Sequence, residues 1–143
     1  MIQIGNAPCS WGVEHPNDPR NPPWRKVLKE CTEAGYKGIE LGPVGYMPEN
    51  PEVLAEALDE HGLSLIGGVV YRPFHDPDKW LDVVDGAERT CKALASHGAK
   101  QLVLIDAISP RRAPTAGRAD EAEQMDSAEW TAFRNRIVTI AKM

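Results

Sequence analysis

The chain has 143 residues and a formal net charge of −5, with 42% hydrophobic and 26% charged residues. This length and composition are typical of one domain that buries its own core. The acidic balance argues against nucleic acid as the main partner, because phosphate binding requires clustered lysine and arginine, and no apolar run approaches the roughly 20 residues of a membrane span.

Four predicted strands alternate with four predicted helices along the chain. In each helix, apolar residues recur at intervals of three, four and seven, which is the spacing of one buried helical face. Prolines or an Asp-Ser pair precede the helices as start signals, and a glycine follows each of the first three as an end signal. The predicted strands cover residues 2–5, 38–41, 63–70 and 101–106, and the end glycines are Gly35, Gly62 and Gly98.

Strands that alternate with helices predict an α/β fold, a parallel sheet with right-handed crossover connections. Four such β/α units are about half of an eight-unit β/α barrel, which takes about 250 residues. A small open α/β sheet is the competing architecture, but no strand is followed by the glycine-rich motif of a nucleotide-binding fold. The last helix ends at Met143 without a glycine or a further strand, which favours the interpretation that residues 1–143 are the amino-terminal half of a barrel domain.

The three cysteines, Cys9, Cys31 and Cys91, show no CxxC spacing. An odd number of cysteines without that spacing indicates reduced thiols rather than a disulfide framework or a zinc site. The amino terminus also lacks the basic and apolar segments of a secretory signal. The sequence therefore predicts a cytoplasmic protein.

Candidate site residues lie at or just after the carboxyl ends of the predicted strands, where β/α barrels place their chemistry. A histidine there can ligate a metal or move a proton near neutral pH, although His75 also fits a turn before the third helix, with Asp76 as its cap. Trp11 either stacks on a sugar ring or fills the top of the barrel. The candidate site residues are Asn6, Trp11, Glu40, His75 and Asp106.

Glu40 lies between Ile39 and Leu41, so its side chain points to the opposite face of the strand. A carboxylate in that position is hydrogen bonded or near the solvated mouth, because its burial without a partner is costly. Three roles stay open for Glu40, and similarly for Asp106. The carboxylate holds the backbone N–H groups of a neighbouring loop, binds a substrate hydroxyl, or ligates a metal.

The predicted loop at residues 109–127 is longer than ordinary connections, which have about 4 to 6 residues. It carries Arg111, Arg112 and Arg118, and the planar fork of an arginine suits a phosphate or a carboxylate. A solvated loop without a ligand is the alternative interpretation.

Four segments of the chain together resemble the front half of the xylose isomerase-like TIM barrels, the family of the sugar phosphate isomerases and epimerases. Within this family the inosose dehydratase-like members are the most similar, on the stretches GNAPCSWGVE and GPVGYMP. The resemblance covers nearly the whole chain and the first four of the family's eight β/α units. The four segments are IGNAPCSWGVE, EAGYKGIELGPVGYMP, GGVVYRPFHDP and GAKQLVLID.

The resemblance implies a divalent metal, manganese or cobalt, at the barrel mouth, with ligands from strands five to eight of the complete enzyme. There the metal would polarise a carbonyl and stabilise an enediolate while a carboxylate moves the adjacent proton. The front half would supply the substrate-binding wall. By position, this wall would be formed by Asn6, Trp11, Glu40, His75 and Asp106.

Two hypotheses from different classes follow. The first is a metal-dependent isomerase, epimerase or dehydratase of a keto sugar or keto-inositol, to which this chain contributes the binding wall. The second is a non-catalytic half-barrel that pairs with a copy of itself to cover its open sheet edges. For the isolated chain we expect association across the edges of strands one and four, no tightly bound metal and no turnover. An endonuclease of the same barrel type is disfavoured, because it would require histidines at both the third and the fourth strand ends, and Asp106 occupies the fourth.

Overall fold

The computed structural model describes residues 4–143, which form one parallel sheet with the strand order β1-β2-β3-β4 and helices between the strands. The predicted α/β fold, with sequential parallel strands, is confirmed. Positions 2 and 3 of the first predicted strand lie outside the described residues. The strands are β1 Gly5–Asn6, β2 Gly38–Glu40, β3 Ser64–Arg72 and β4 Leu102–Asp106, and the helices are α1 Trp24–Glu33, α2 Pro51–His61, α3 Trp80–Ser96 and α4 Ser127–Ile140.

The helix ends show why the chain turns at these positions. Asn50 accepts hydrogen bonds from two backbone N–H groups of the first turn of α2, and Asp126 forms a capping box with Glu129 at the start of α4. These side chains satisfy donors that have no partner within the helix. Gly62 ends α2 with a φ of 61°, which glycine adopts without the steric cost of a side chain.

All four helices cover one face of the sheet, where the buried strand residues form the core. Ile39 of β2 and Leu65 of β3 lie in a first apolar cluster with residues of α1 and α2. Val70 and Phe74 form a second cluster with residues of α3 and with Ile140 of α4. Within residues 4–143, no helix is long and apolar enough to cross a membrane.

The opposite face of the sheet is not covered by the described residues. Side chains alternate along a strand, but a register shift against β2 makes Ile66 an extra residue between Leu65 and Gly67. Ile66 therefore points away from the buried Leu65, and beyond the shift Tyr71 points away from the buried Val70 to the same face. On β4, the exposed residues alternate in the same way with leucines that pack towards the helices. We call this surface the inner sheet face. It is formed by four large apolar side chains that are between 39% and 45% exposed, Ile66, Tyr71, Val103 and Ile105.

Strand β3 extends two residues beyond its predicted end at residue 70. Tyr71 pairs with Ile105 and Arg72 pairs with Asp106 in the parallel register, so the neighbouring strand prolongs β3 up to the residue before Pro73. The sequence pattern alone missed this extension, because the aliphatic run of the predicted strand ends at Val70. As a result, β3 and β4 end side by side, and the turn that contains His75 begins directly at the sheet edge.

Gly42 follows the second strand and fixes how closely the first loop approaches it. Its φ is 71°, and a Cβ atom at this position would lie 2.8 Å from Cγ of Pro8. Gly62 has a similar φ of 61°, but no other heavy atom lies within 4 Å of a Cβ atom placed there. A side chain at either glycine would therefore strain the backbone to a similar extent. Only a side chain at Gly42 would also overlap another residue, Pro8.

We expect Gly42→Ala to lower the free energy of unfolding by at least about 1 kcal/mol more than Gly62→Ala does. Both variants pay the cost of a left-handed alanine, roughly 1 to 2 kcal/mol, but only Gly42→Ala must also displace Pro8. Urea denaturation of the two variants and the parent chain measures the difference. Equal destabilisation by both substitutions would contradict the close contact between Gly42 and Pro8.

Candidate functional site

The carboxyl ends of all four strands lie along one side of the sheet, because every strand runs in the same direction. We call this side the carboxyl edge, or sheet edge; it is not an outer strand. The last strand residues are Asn6, Glu40, Arg72 and Asp106. Three of these were predicted as site residues from the sequence, and His75 follows β3 after a short turn. The fold therefore brings Asn6, Glu40, His75 and the end of β4 to the same edge of the sheet.

His75 and Asp106 are joined by a set of hydrogen bonds. Nδ1 of the His75 ring lies 2.9 Å from Oδ1 and 3.1 Å from Oδ2 of Asp106. The backbone N–H of His75 also donates to Oδ1, over 3.1 Å. One carboxylate at the end of β4 thus holds both the main chain and the side chain of the histidine in the turn after β3.

These contacts assign the proton positions on the His75 ring. An ionised carboxylate only accepts hydrogen bonds, so the ring nitrogen that faces Asp106 carries the proton. In the neutral ring, Nε2 is then the acceptor, and no hydrogen bond from the described residues reaches it. The His75 side chain is 24% exposed, so the pair presents an oriented, basic nitrogen at the sheet edge.

Arg136 of α4 holds the same turn through two of its backbone carbonyl oxygens. Its Nη1 donates to the carbonyl oxygen of Phe74 over 2.8 Å and to that of His75 over 3.1 Å. Phe74 is fully buried in the second cluster, which anchors the turn in the core. Arg136 was not among the predicted site residues; its signal in the sequence is a charged residue between Phe133 and Ile140 on the apolar face of α4.

A cavity of about 910 Å³ lies between this turn, the loop after β4 and the start of α4. The charged side chains of the long loop at residues 109–127 largely pair with nearby charges of opposite sign. Arg111 pairs with Glu123 and Glu129, and its guanidinium lowers the pKa of the Glu123 carboxyl. The cavity is bordered by His75, Asp106, Ser109, Arg112, Gln124 and Arg136, among others.

Of the three arginines in the loop, two are engaged with neighbouring groups. Arg118 lies 3.2 Å from Glu121 and donates to the carbonyl oxygen of Pro114, while Arg111 is paired as described. Within the described part of the chain, the guanidinium of Arg112 makes no hydrogen bond or ion pair. The prediction of an anion-binding loop therefore rests on Arg112 alone.

The first loop contributes less directly to the edge. Oδ1 of Asn6 accepts hydrogen bonds from the backbone N–H of Ala7 over 2.8 Å and from the hydroxyl of Ser10 over 2.7 Å, so its carbonyl group stabilises the turn that follows β1. Nε1 of Trp11 donates to Glu30 of α1 over 2.7 Å, and the half-buried ring packs against the first cluster. These contacts fit the alternative in which Trp11 fills the top of the barrel. Contact between Trp11 and a substrate stays a prediction.

Glu40 differs from its neighbours at the sheet edge because its carboxylate has no hydrogen-bond partner among residues 4–143. It is half buried at the end of β2. Its neighbour Ile39 is completely buried towards the helices, so the Glu40 side chain projects to the inner sheet face. The carboxylate is therefore available to a ligand, and its role in substrate binding stays a prediction.

The described residues do not form the metal centre that the family resemblance implies. A divalent metal requires several oxygen or nitrogen ligands that converge on one point. Within residues 4–143, no three His, Cys, Asp or Glu side chains lie close enough together to hold a metal ion. Asp106 also directs both carboxylate oxygens to His75, so Nε2 is the polar atom of this pair that has no hydrogen-bond partner among the described residues.

We expect Asp106→Leu to remove the preference of the neutral His75 ring for the tautomer with the proton on Nδ1. Leucine is similar in size but has no oxygen that could accept from Nδ1 or from the backbone N–H of His75. Long-range ¹H–¹⁵N NMR spectra of the histidine rings measure this change. His61, whose Nδ1 lies 2.8 Å from the carbonyl oxygen of Ala57, is the internal control and should keep its tautomer. An unchanged His75 ring in the variant would contradict the role given to Asp106.

No protein-family model matches the chain. Among curated proteins, the rhizopine catabolism protein MocC of Rhizobium meliloti is similar, with 24% identity over 149 residues. This alignment covers 99% of the chain but only 43% of MocC. The chain therefore spans less than half of the length of that relative.

Solved structures show the same fold at low sequence identity. A xylose isomerase-like TIM barrel protein from Mycobacterium smegmatis, in complex with magnesium, matches with a TM-score of 0.69 and 17% identity, over 99% of this chain and 53% of that chain. The family 2 AP endonuclease from Brucella melitensis matches with a TM-score of 0.64 and 14% identity, over 99% of this chain and 50% of that chain. The chain therefore has the fold of the xylose isomerase-like TIM barrels, and its four β/α units correspond to about half of such a barrel.

Proposed function

We propose that the carboxyl edge of this sheet is the substrate-binding wall of a sugar isomerase or epimerase-type enzyme. The substrate is a keto sugar or a keto-inositol, and the reaction moves a proton next to its carbonyl group. The observation that carries this proposal is the hydrogen-bonded pair of His75 and Asp106, both of which border a cavity at the sheet edge. The xylose isomerase-like fold supports the same class of chemistry by analogy.

The paired histidine suits both the substrate binding and the proton transfer that such a reaction needs. Nε2 accepts a hydrogen bond from a substrate hydroxyl, and an imidazole nitrogen held in a fixed orientation can take up a proton as a general base. Removal of a proton beside the carbonyl gives an enediolate. Return of the proton to the neighbouring carbon gives isomerisation, and return to the other face gives epimerisation. Loss of a β-hydroxyl together with a proton, as water, gives dehydration.

The charges around the cavity favour a neutral, hydroxyl-rich substrate over a phosphorylated one. Arg111 and Arg118 are paired with glutamates of the same loop, so most of the cationic charge is already compensated. Glu40 adds a free carboxylate acceptor at the end of β2, outside the lining of this cavity. Carboxylate and imidazole acceptors bind hydroxyl donors. A carboxylate repels a phosphate, and an imidazole acceptor nitrogen has no hydrogen to donate to it.

A divalent metal is expected for the resembling family, and one of the solved relatives was obtained with magnesium. Because no ligand set forms within residues 4–143, we assign no step of the reaction to a metal here. In the complete enzyme, a metal of the manganese or cobalt type would take its ligands from outside this chain. The role of these residues is then to bind and orient the substrate.

Small-molecule chemistry is favoured over action on nucleic acid, although one similar structure is an AP endonuclease. The net charge of −5 would repel a phosphate backbone. The histidine pair that the endonuclease type would require is replaced by one histidine and Asp106. All three cysteines are free thiols, which supports the proposal that the protein works in the reducing cytoplasm.

We expect His75→Asn to weaken the binding of a keto-inositol and of fructose to the 143-residue chain at least tenfold, which is about 1.4 kcal/mol. The asparagine amide can still donate to Asp106 in place of Nδ1, but Nε2 is removed. Titration of the ¹⁵N-labelled chain, followed by NMR, measures both dissociation constants. The matched control is His97→Asn at the far end of α3, and equal weakening by both variants would contradict the proposal.

Glu40→Gln is a second test on a different strand. It should weaken the binding of the same two compounds, because an amide accepts hydrogen bonds less strongly than a carboxylate. Since no described residue bonds to Glu40, the free energy of unfolding should change by less than about 0.5 kcal/mol. Unchanged binding combined with a large loss of stability would assign Glu40 a purely structural role.

We expect the 143-residue chain to take up no stoichiometric Mn²⁺ and to show no turnover by itself. The reason is the missing ligand set, because two or three dispersed side chains do not complete a coordination shell. Electron paramagnetic resonance during a Mn²⁺ titration measures the concentration of unbound Mn²⁺ directly. A stoichiometric site that disappears in Glu40→Gln or His75→Asn would show that these residues are ligands.

A further inference from the structure

The long loop at residues 109–127 folds back on itself, so that its start and its end are joined. Nε of Arg111 donates to Oε2 of Glu123 over 2.7 Å, and Nη2 of the same guanidinium donates to Oε1. The planar guanidinium matches a carboxylate in this two-pronged way, which makes the contact directional as well as ionic. Compact surface loops whose ends lie close together are frequently functional.

The same arginine also connects the loop to α4. Nη1 of Arg111 lies 3.6 Å from Oε1 of Glu129. The other carboxylate oxygen of Glu129 accepts from the backbone N–H of Asp126 over 2.9 Å, as part of the capping box at the start of the helix. We call Arg111, Glu123 and Glu129 the loop clasp, because they join the start of the loop, its end and the first turn of α4.

The loop has little else to hold its shape. Of residues 109–127, all of which the structure describes, only Ala122 is buried. A single exposed ion pair contributes little to stability, but two-pronged geometry and a shared network of charges are the cases in which such pairs count. The loop clasp has both features. The Arg111 guanidinium also holds the pKa of the Glu123 carboxyl below its ordinary value, so the pair stays ionised at neutral pH.

The loop clasp lies at the cavity that His75 and Asp106 border. All three of its residues belong to the lining, and the loop adds small side chains such as Ala116 and Ala119. If the loop opened, the cavity would lose this part of its wall. The pair of His75 and Asp106 would stay in place, because β4 and Arg136 hold it independently of the loop.

We propose that Arg111 is a positioning residue, which holds the loop against the cavity through the loop clasp and so completes the wall that binds the substrate. Arg111 acts through the loop and not by touching the substrate, because two glutamates already engage its guanidinium. The substrate in this proposal rests on the proposed function. The state of the loop, however, can be measured without any ligand.

Arg111→Glu tests the proposal by replacing the loop clasp with three carboxylates that repel one another. In the ligand-free chain, the amides of the loop should exchange with deuterium at least about tenfold faster, because they report local opening. Several of these amides are hydrogen-bonded in turns of the loop, among them those of Thr115, Arg118 and Glu121. The binding of a keto-inositol and of fructose should weaken at least about fivefold, in line with the smaller fraction of closed loop.

The matched control is Arg118→Glu, which makes the same change of charge in the same loop. Arg118 lies 3.2 Å from Glu121, only three residues away, so this pair does not join the two ends of the loop. Exchange of the loop amides and binding should both stay within about twofold of the parent chain, as for an ordinary exposed pair. Equal effects of Arg111→Glu and Arg118→Glu would overturn the proposal.

The charge-swapped variant, Arg111→Glu combined with Glu123→Arg, distinguishes positioning from direct contact. It again places opposite charges at the two ends of the loop, so both slow exchange and binding should largely return. Exchange that returns without binding would show that Arg111 contacts the substrate itself, and would overturn the positioning role. Exchange that Arg111→Glu leaves unchanged would overturn the loop clasp.

Two further outcomes are separated by the ligand-free measurement. A parent chain that binds neither compound would contradict the proposed function, whereas exchange of the ligand-free loop would still decide whether the loop clasp exists. If Arg111→Glu fails to fold, Glu123→Gln takes its place, because it removes the charge at the end of the loop without adding repulsion. Loop amides that exchange in Glu123→Gln as slowly as in the parent chain would then overturn the proposal.

Discussion

The parallel pairing of four sequential strands is the constraint on which both the core and the candidate site depend. Each strand returns to the same end of the sheet through a helix, and right-handed crossovers place these helices on one face. Ile39, Leu65 and Val70 therefore share one buried layer with the helices. The same geometry gathers the last residues of all strands at the carboxyl edge. The parallel direction of the strands is therefore enough to place Asn6, Glu40 and Asp106 along it.

The position of His75 depends on three elements at once. β4 holds the ring and the backbone N–H through Asp106, α4 holds the carbonyl oxygen through Arg136, and the preceding Phe74 is buried in the core. His75 lies in a turn, yet contacts from three elements hold it in one orientation. Fixed orientation matters for both binding and proton transfer, because a misplaced acceptor loses most of its effect.

The two faces of the sheet have opposite roles. The helix face buries its apolar residues within the chain, whereas the inner sheet face keeps Ile66, Tyr71, Val103 and Ile105 partly exposed. Both faces are apolar because parallel sheets of β/α folds are covered on both sides. At the carboxyl edge, Glu40 projects to the inner sheet face, whereas His75 and Asp106 border the cavity that the long loop and α4 form.

The sequence by itself determined the order of the elements, their parallel pairing and the edge that carries the polar residues. Helical spacing, glycine stops and caps such as Asn50 are local signals, and local signals depend on neighbours in the chain. Only the tertiary structure decided that Asp106 orients His75, that Arg136 supports this turn, and that Trp11 bonds to Glu30. It also decided the extra length of β3, because Tyr71 and Arg72 become strand residues by pairing with β4. Such contacts join residues that are tens of positions apart, and no periodic pattern in the sequence specifies which distant side chains will meet.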